Sequence, residues 1–406
     1  MSNPDEDPGT WLVKKSAIRS GNWELFRDWH QSILRQTLDL EKVQPFGGGD
    51  ARRSCVLFET RKSKLSKCKS SEITAYIRKG RKPHPSDKLQ DILDKLLITK
   101  TPAPIPVRPS AYIDRIEGLR FRQGAIITPK VLTVTSQATS VSESTCLITT
   151  EKSMQKPWNV LNPVQGVVPK RWLKNLLVSK GMLPFVRSPH EFYWAIIPTD
   201  SSNSIDKTAV DTNEMWKEME QIYQDYKPKG LNSPSNLISL IDFHSALSVQ
   251  LHQTGTKKNM VVYPASGDIM RAYRTKPTEA IIDSTLYWFA APTANEAAYL
   301  TSILNAPSLN NAFVESRTSG RDFHLNPWRC VPIQRFDAEN LNHVALAKLT
   351  VESEKLIVRW IANLNVTERK LGQVGLSKRI RKLLTDEGIF DEINNHVRKI
   401  LPDQAH

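Results

Sequence analysis

The sequence predicts a mixed α/β and α+β protein. Three observations point that way: a strand, helix, strand pattern at the start, strand-like and helical segments interleaved through the middle, and an amphipathic, mostly helical tail after Phe336. No internal repeat is found. At 406 residues the chain has room for two or three domains and a substantial core.

Taken in order, WLVKK (Trp11 to Lys15) is a short apolar run. GNWELFRDWHQSILRQTL (Gly21 to Leu38) sets Trp23, Phe26, Trp29, Ile33 and Leu38 near helical spacing, and Ser54 to Phe58 is a compact strand bounded by charge. This β-α-β piece is too small for a complete doubly wound domain, which needs several such units. Lys64 to Pro109 joins a basic run to the proline cluster TPAPIPVRPS, and reads as a linker.

Strands are expected at Ala125 to Thr135, Thr145 to Thr150 and Phe192 to Pro198, with a helix at Lys170 to Lys180. Ser201 to Thr212 reads as a polar loop tip, and Glu214 to Tyr226 as a helix closed by Lys227-Pro228-Lys229-Gly230. In VVYPASGDIMRAY the turn residues Pro264 to Gly267 separate two strand-like runs and imply a hairpin. A strand at Ile281 to Ala291 and a helix at Asn295 to Asn305, stopped by Pro307, lead into the helical tail.

The formal net charge is +14, and it is concentrated. Between Arg52 and Lys82 there are eleven Lys/Arg against two acids, so a polyanionic partner is expected, with a solvated basic loop as the alternative. The four cysteines (Cys55, Cys68, Cys146, Cys330) lie far apart without CxxC spacing, which indicates neither zinc nor a disulfide framework. No run of 18 or more apolar residues occurs and the first residues lack a signal-peptide build, so the expectation is no membrane and a cytoplasmic protein.

Phe46-Gly47-Gly48-Gly49-Asp50 invites comparison with a cofactor-cradling loop. The next element reads as a strand, not a helix whose amino terminus could receive a phosphate or a cofactor, so a flexible loop is the better reading. Glu368-Arg369-Lys370 has a Glu-x-Lys spacing used by nucleases, but reads as part of a charged helix. The nine histidines show no HExxH or His-x3-His spacing, and neither a Gly-x-Ser-x-Gly elbow nor a phosphate-binding P-loop is present.

Four segments, in this order, carry a resemblance: LRFRQGAIITPKVLTV (Leu119 to Val134), VVYPASGDIMRA (Val261 to Ala272), STLYWFAAPTANEAAYLTSILNAP (Ser284 to Pro307) and SRTSGRDFHLNPWRCVPIQRFD (Ser316 to Asp337). From about Gly9 to Asn342 the chain resembles the carboxy-terminal part of large N6-adenine DNA methyltransferases of the Eco57I-like, type IIG-like kind, in which methylase and target-recognition domains share one polypeptide. The resemblance implies a partial Rossmann-like methyltransferase edge over residues 1–63, late strands and a helix of the catalytic fold. A basic and Pro-rich linker at 64–109, an α+β DNA target-recognition domain at 110–337 and a helical carboxy-terminal region at 338–406 follow.

The chain departs from that family in one way. The Asn/Asp/Ser-Pro-Pro-aromatic motif that holds the flipped adenine is missing; Asn162-Pro163-Val164 and Asn326-Pro327-Trp328 lack the second proline, and no glycine-rich first strand precedes them. The expectation is therefore a sequence-specific recognition part without catalytic residues or bound cofactor of its own. Double-stranded DNA is one expected partner, and a catalytic subunit carrying S-adenosylmethionine the other. A self-sufficient DNA-modifying enzyme with an unrecognised site, and a truncated remnant, stay open as alternatives.

Expected DNA contacts fall in three sets. Arg317, Ser319, Gly320, Arg321 and His324 combine close backbone approach with two guanidinium groups that can pair with phosphate or read guanine. Arg120, Arg122, Gln123 and Lys130 stand beside a strand, suited to phosphate contact. Tyr263 and Ser266 mark the hairpin. Tyr287-Trp288-Phe289, an apolar strand before a capped helix, reads as core.

Overall fold

The computed structural model describes strand residues 9–14, 34–39, 55–60, 72–78 and 96–102, and residues 121–401 apart from 190–191, 228–233, 254–258, 277–278, 316–321, 324, 326, 328–330, 332, 366–367 and 369. The protein is a mixed α/β chain that divides into two compact units, Met1–Ile113 with Asn311–Gln334, and Asp114–Asn310 with Arg335–His406.

The first unit holds a five-stranded sheet of β1 (Gly9–Lys14), β2 (Leu34–Asp39), β3 (Cys55–Thr60), β4 (Glu72–Arg78) and β5 (Leu96–Pro102), in the order β1-β3-β2-β4-β5. Only β2 and β4 run parallel; the other neighbours are antiparallel. Two expectations are corrected here. Leu34 to Leu38, expected as the end of a helix, is the middle strand of the sheet. The stretch expected as a linker supplies β4 and β5, paired over seven residues. EITAYIR and LLITKTP are rich in β-branched and aromatic residues, and pairing on a sheet overrides the charge that surrounds them in sequence. The rest of the expected helix, residues 21–33, and the glycine run 47–49 lie outside the described residues; the element after that run is strand β3, as expected.

The second unit is built on two sheets. The six-stranded one contains β7 (Val134–Ser140), β8 (Thr145–Thr150), β9 (Gln165–Pro169), β10 (Leu173–Leu177), β11 (Tyr193–Ile196) and β14 (Ile281–Ile282), ordered β14-β10-β11-β7-β8-β9. The four-stranded one contains β6 (Arg122–Gln123), β12 (Asn259–Pro264), β13 (Tyr273–Thr275) and β15 (Leu286–Ala291), ordered β13-β12-β15-β6. The expected helix at Lys170 to Lys180 is instead strand β10 between two 3-10 turns. Leu173 to Leu177 is claimed by pairing on both sides, antiparallel to β11 and parallel to β14. Similarly, the strand expected from Ala125 begins only at Val134, after the one-turn helix α1 (Lys130–Thr133).

Helices α2 (Ala209–Thr212), α3 (Glu214–Tyr226), α4 (Leu237–Ile241) and α5 (Ala246–Gln253) belong to the six-stranded layer. Helix α3 forms where the sequence puts it. Asn213 caps it, its side chain accepting from Trp216 N at 2.9 Å while donating to the Val167 carbonyl at 3.0 Å. Met215, Trp216, Met219 and Tyr223 make one buried stripe, with Trp216 edge-on to Trp172 of the 3-10 turn before β10 and Tyr223 stacked on Trp158.

Helices α6 (Ala294–Asn305) and α7 (Asn310–Glu315) come before the tail, which consists of α8 (Leu341–Ala362), α9 (Gln373–Asp386) and α10 (Ile389–Ile400). Helix α6 is buried from Glu296 to Asn305 because it lies between the four-stranded sheet and α8. Its buried polar groups are bonded: Ser302 Oγ donates to the Leu346 carbonyl, Thr350 Oγ1 to that of Ala298, and Asn305 Nδ2 to that of Ala272, each at 2.7 Å. Asn305 thereby pins the connection of the expected hairpin, whose strands β12 and β13 pair antiparallel. Among the described residues no helix is long and apolar enough to cross a membrane.

Candidate nucleic-acid interface

Strand β6 closes one edge of the four-stranded sheet with only two residues. Arg122 stands opposite Trp288 of β15, and Gln123 opposite Tyr287. Side chains alternate along a strand, so Arg122 and Trp288 share one face and Phe121 turns to the other. There Phe121 packs edge-on against Tyr263, ring centroids 4.9 Å apart, and against Phe289 at 5.4 Å. Chain direction is then fixed by Gly124, whose N–H donates to the Leu286 carbonyl, and by Ala125 N–H to Ile282. A Cβ on Gly124 would sit 2.2 Å from the Asp283 carbonyl oxygen, so the approach of these backbones requires glycine.

The facing wall is the connection between α4 and α5. Asp242 caps α5, accepting from Leu247 N and Ser248 N and from the Ser248 hydroxyl. Fitting Phe243, His244 and Ser245 into that short bend forces His244 (φ 55°) and Ser245 (φ 56°) into the left-handed region. His244 is thereby held at the surface, its ring 4.0 Å from that of Phe243. Between the walls lies a cleft of about 320 Å³, lined by Arg122, Gln123, Phe243, His244, Val249 and Trp288 among others.

The cleft is basic, aromatic and short of acceptors. Arg122 is exposed and meets no carboxylate among the described residues. Trp288 is 3% exposed, and its indole N–H has no acceptor among the described residues. Gln123 is committed to the fold, its Nε2 donating to the Ser284 carbonyl at 3.0 Å.

The expected contacts separate accordingly. Arg122 and Gln123 come together at the cleft. Lys130 is half-buried, with its ammonium 5.8 Å from the Tyr193 ring. Burial raises the carboxyl of nearby Asp283, and hydrogen bonds from Thr285 and the charge of Lys130 oppose that rise. Ser266 is exposed beside the buried Gly267. Tyr263 is corrected: it is 0% exposed, enclosed by Phe121 and Tyr287, and a buried phenol on that face cannot touch DNA. Arg120, Arg317, Ser319, Gly320, Arg321 and His324 lie outside the described residues.

Phe243 and His244 escaped the sequence reading, and Trp288 was read as core, which it is except for its place on the cleft wall. The one legible signal was the Asp-x5-Ser capping pattern of Asp242 and Ser248, which marks a helix start and not a site. Glu368 is taken up by a reciprocal cap, its carboxylate accepting from Asn365 N while Asn365 Oδ1 accepts from Glu368 N, and by Arg379 at 3.3 Å. Among the described residues no cluster of His, Cys, Asp and Glu could hold a metal ion, and Cys146 is a buried free thiol.

No protein-family model matches this sequence, and no curated protein does. Solved structures do. MmeI, a Type IIL restriction-modification enzyme solved in complex with DNA, superposes with a TM-score of 0.55 at 9% identity, covering 98% of this chain and 47% of that one. BpuSI, a type IIG restriction endonuclease, gives a TM-score of 0.33 at 13% identity, covering 99% of this chain and 48% of that one. The chain thus spans about half the length of these structures, and it shares the fold of that half of MmeI.

Proposed function

We propose that this chain is the sequence-specific, DNA-binding target-recognition part of an adenine-specific DNA methyltransferase of the restriction-modification or phage-defence type. It works with a separate catalytic subunit that carries S-adenosylmethionine and the flipped-base pocket. The observation that carries the reading is the likeness, over 98% of this chain, to half of an enzyme solved on DNA. The charge of +14 and the basic run from Arg52 to Lys82 suit a partner whose condensed counterions are released on binding. The division of labour is physical: this chain neutralises phosphates and reads base edges, the partner does the chemistry.

A salt titration of the whole chain on duplex DNA, with and without S-adenosylmethionine, tests it. Expected is an affinity that falls steeply with salt, by a slope of about 0.9 per phosphate contacted, and is unmoved by the cofactor. Absence of binding at low salt would overturn the reading. Tightening by S-adenosylmethionine would place the cofactor on this chain and remove the need for a separate catalytic half.

A further inference from the structure

The cleft between β6 and the α4–α5 connection has a composition that neither packing nor general affinity for duplex DNA requires. We propose that it binds a single unpaired nucleotide, with the base stacked against the Phe243–His244 pair and the phosphate on Arg122. The inference names a ligand for one site of the reading above and rests on that reading only for the source of the nucleotide.

Three independent features converge. Phe243 and His244 meet with ring centroids 4.0 Å apart and planes tilted by 53°, and the left-handed His244 keeps the imidazole exposed beside the cleft, so the pair offers an aromatic face to a planar ring. Arg122 is an exposed cation with no carboxylate partner among the described residues, and the backbone register fixes it directly across from Trp288. Trp288 lines the cleft wall, and its buried indole N–H lacks an acceptor among the described residues, a donor that a ligand carbonyl or ring nitrogen reaching it would satisfy. A planar heteroaromatic with acceptors at its edge and a phosphate attached answers all three. A volume of about 320 Å³ admits one such unit and is at the lower end of ligand pockets. A phosphate alone would leave the aromatic pair and the indole unused, and an apolar ligand would leave Arg122 and the indole unpaired.

Two sources share this chemistry, a nucleotide extruded from or ending a DNA strand, and a free mononucleotide. The test uses the full chain and two probes, a short single-stranded oligonucleotide carrying one 2-aminopurine, and deoxyadenosine monophosphate. Duplex affinity is measured in parallel. Expected are quenching of 2-aminopurine on binding, loss of that quenching in His244→Ala, and affinity weakened about tenfold in Arg122→Ala and several-fold in Trp288→Phe, which keeps the ring and drops the N–H. Arg122 and His244 are exposed, so their variants fold, and circular dichroism checks this. Competition by deoxyadenosine monophosphate assigns the site to a free nucleotide; binding of the oligonucleotide alone assigns it to a strand. Probes that bind wild type and the three variants equally, or do not bind at all, overturn the inference and leave duplex recognition standing if duplex binding persists. Variant-sensitive probe binding without duplex binding has the opposite meaning: the cleft holds a nucleotide and the recognition function falls.

Discussion

Arg122 and Trp288 face each other across the antiparallel pair of β6 and β15, an exposed guanidinium opposite a buried indole whose N–H is unmet. On neighbouring strands such partners sit about 4.5–5.5 Å apart at Cβ, close enough for one ligand to touch both. Gln123, the next residue of β6, also borders the cleft, but its amide is already bonded to the Ser284 carbonyl. Arg122→Ala is therefore expected to lower duplex affinity and reduce the salt slope by about 0.9, the effect of losing one phosphate contact. Gln123→Ala should leave the slope unchanged and lower stability by roughly 0.5–1.5 kcal/mol through the lost hydrogen bond. Salt-dependent anisotropy and thermal unfolding separate the two.

Gly124 is the position where substitution should hurt most for its size. Its added Cβ would overlap the Asp283 carbonyl oxygen at 2.2 Å and the Ile282 oxygen at 2.4 Å, both backbone atoms that cannot swing aside. Gly124→Ala is expected to destabilise the second unit by more than about 2 kcal/mol, the opposite of the usual small gain from replacing glycine. Denaturant titration gives the answer, and a stable variant would mean the β6 edge can shift.

The tail is fastened to the four-stranded sheet by a forked ion pair. Arg274 of β13 donates through Nε and a terminal nitrogen to both oxygens of Glu354 on α8, each at 2.7 Å, and both side chains are 22% exposed. The hydrogen bonds to Glu354 raise the Arg274 guanidinium above its ordinary value, against a smaller opposing effect of burial. Either single alanine variant should cost roughly 1–3 kcal/mol, because each strands a half-buried charge, and the double variant should cost little more than one. A double-mutant cycle that shows no coupling would contradict this.

Acid should loosen α8. Burial lowers the pKa of His343, with Asp337 opposing, and its Nδ1 accepts from the Asp337 N–H at 3.1 Å, which requires that nitrogen to be unprotonated. His396 is lowered too, by burial and then Lys399, with Glu392 opposing. A depressed folded pKa means the unfolded chain takes up protons that the folded chain refuses. Stability from these groups is present above the ordinary histidine value of about 6.5 and is lost as pH falls from there through the lower folded values. The melting temperature should drop between pH 7.5 and 5, and His343→Gln should flatten that dependence while lowering stability at neutral pH.

What was legible in the sequence were features encoded within a few residues. The α3 and α6 helices and the amphipathic tail stand where the pattern puts them, and β12 and β13 pair as a hairpin, though its connection runs from Ala265 to Ala272 and not over Pro264 to Gly267 alone. Segments with competing local signals were not legible. Leu173 to Leu177 and Leu34 to Leu38 carry helical spacing, yet each is a strand because it has neighbours on both sides of a sheet.

The sequence by itself determined the mixed fold class, the basic character and the capped helices, because composition, periodicity and caps are short-range properties of the chain. Only the tertiary structure decided the cleft. Arg122, Phe243, His244 and Trp288 are more than a hundred residues apart at their extremes, and nothing local announces that a two-residue strand will pair with β15 opposite a left-handed bend. It also decided that Tyr263 is interior and Arg122 exterior, since a strand's alternation fixes which residues share a face, but the packing of α6 against one side fixes which face is buried.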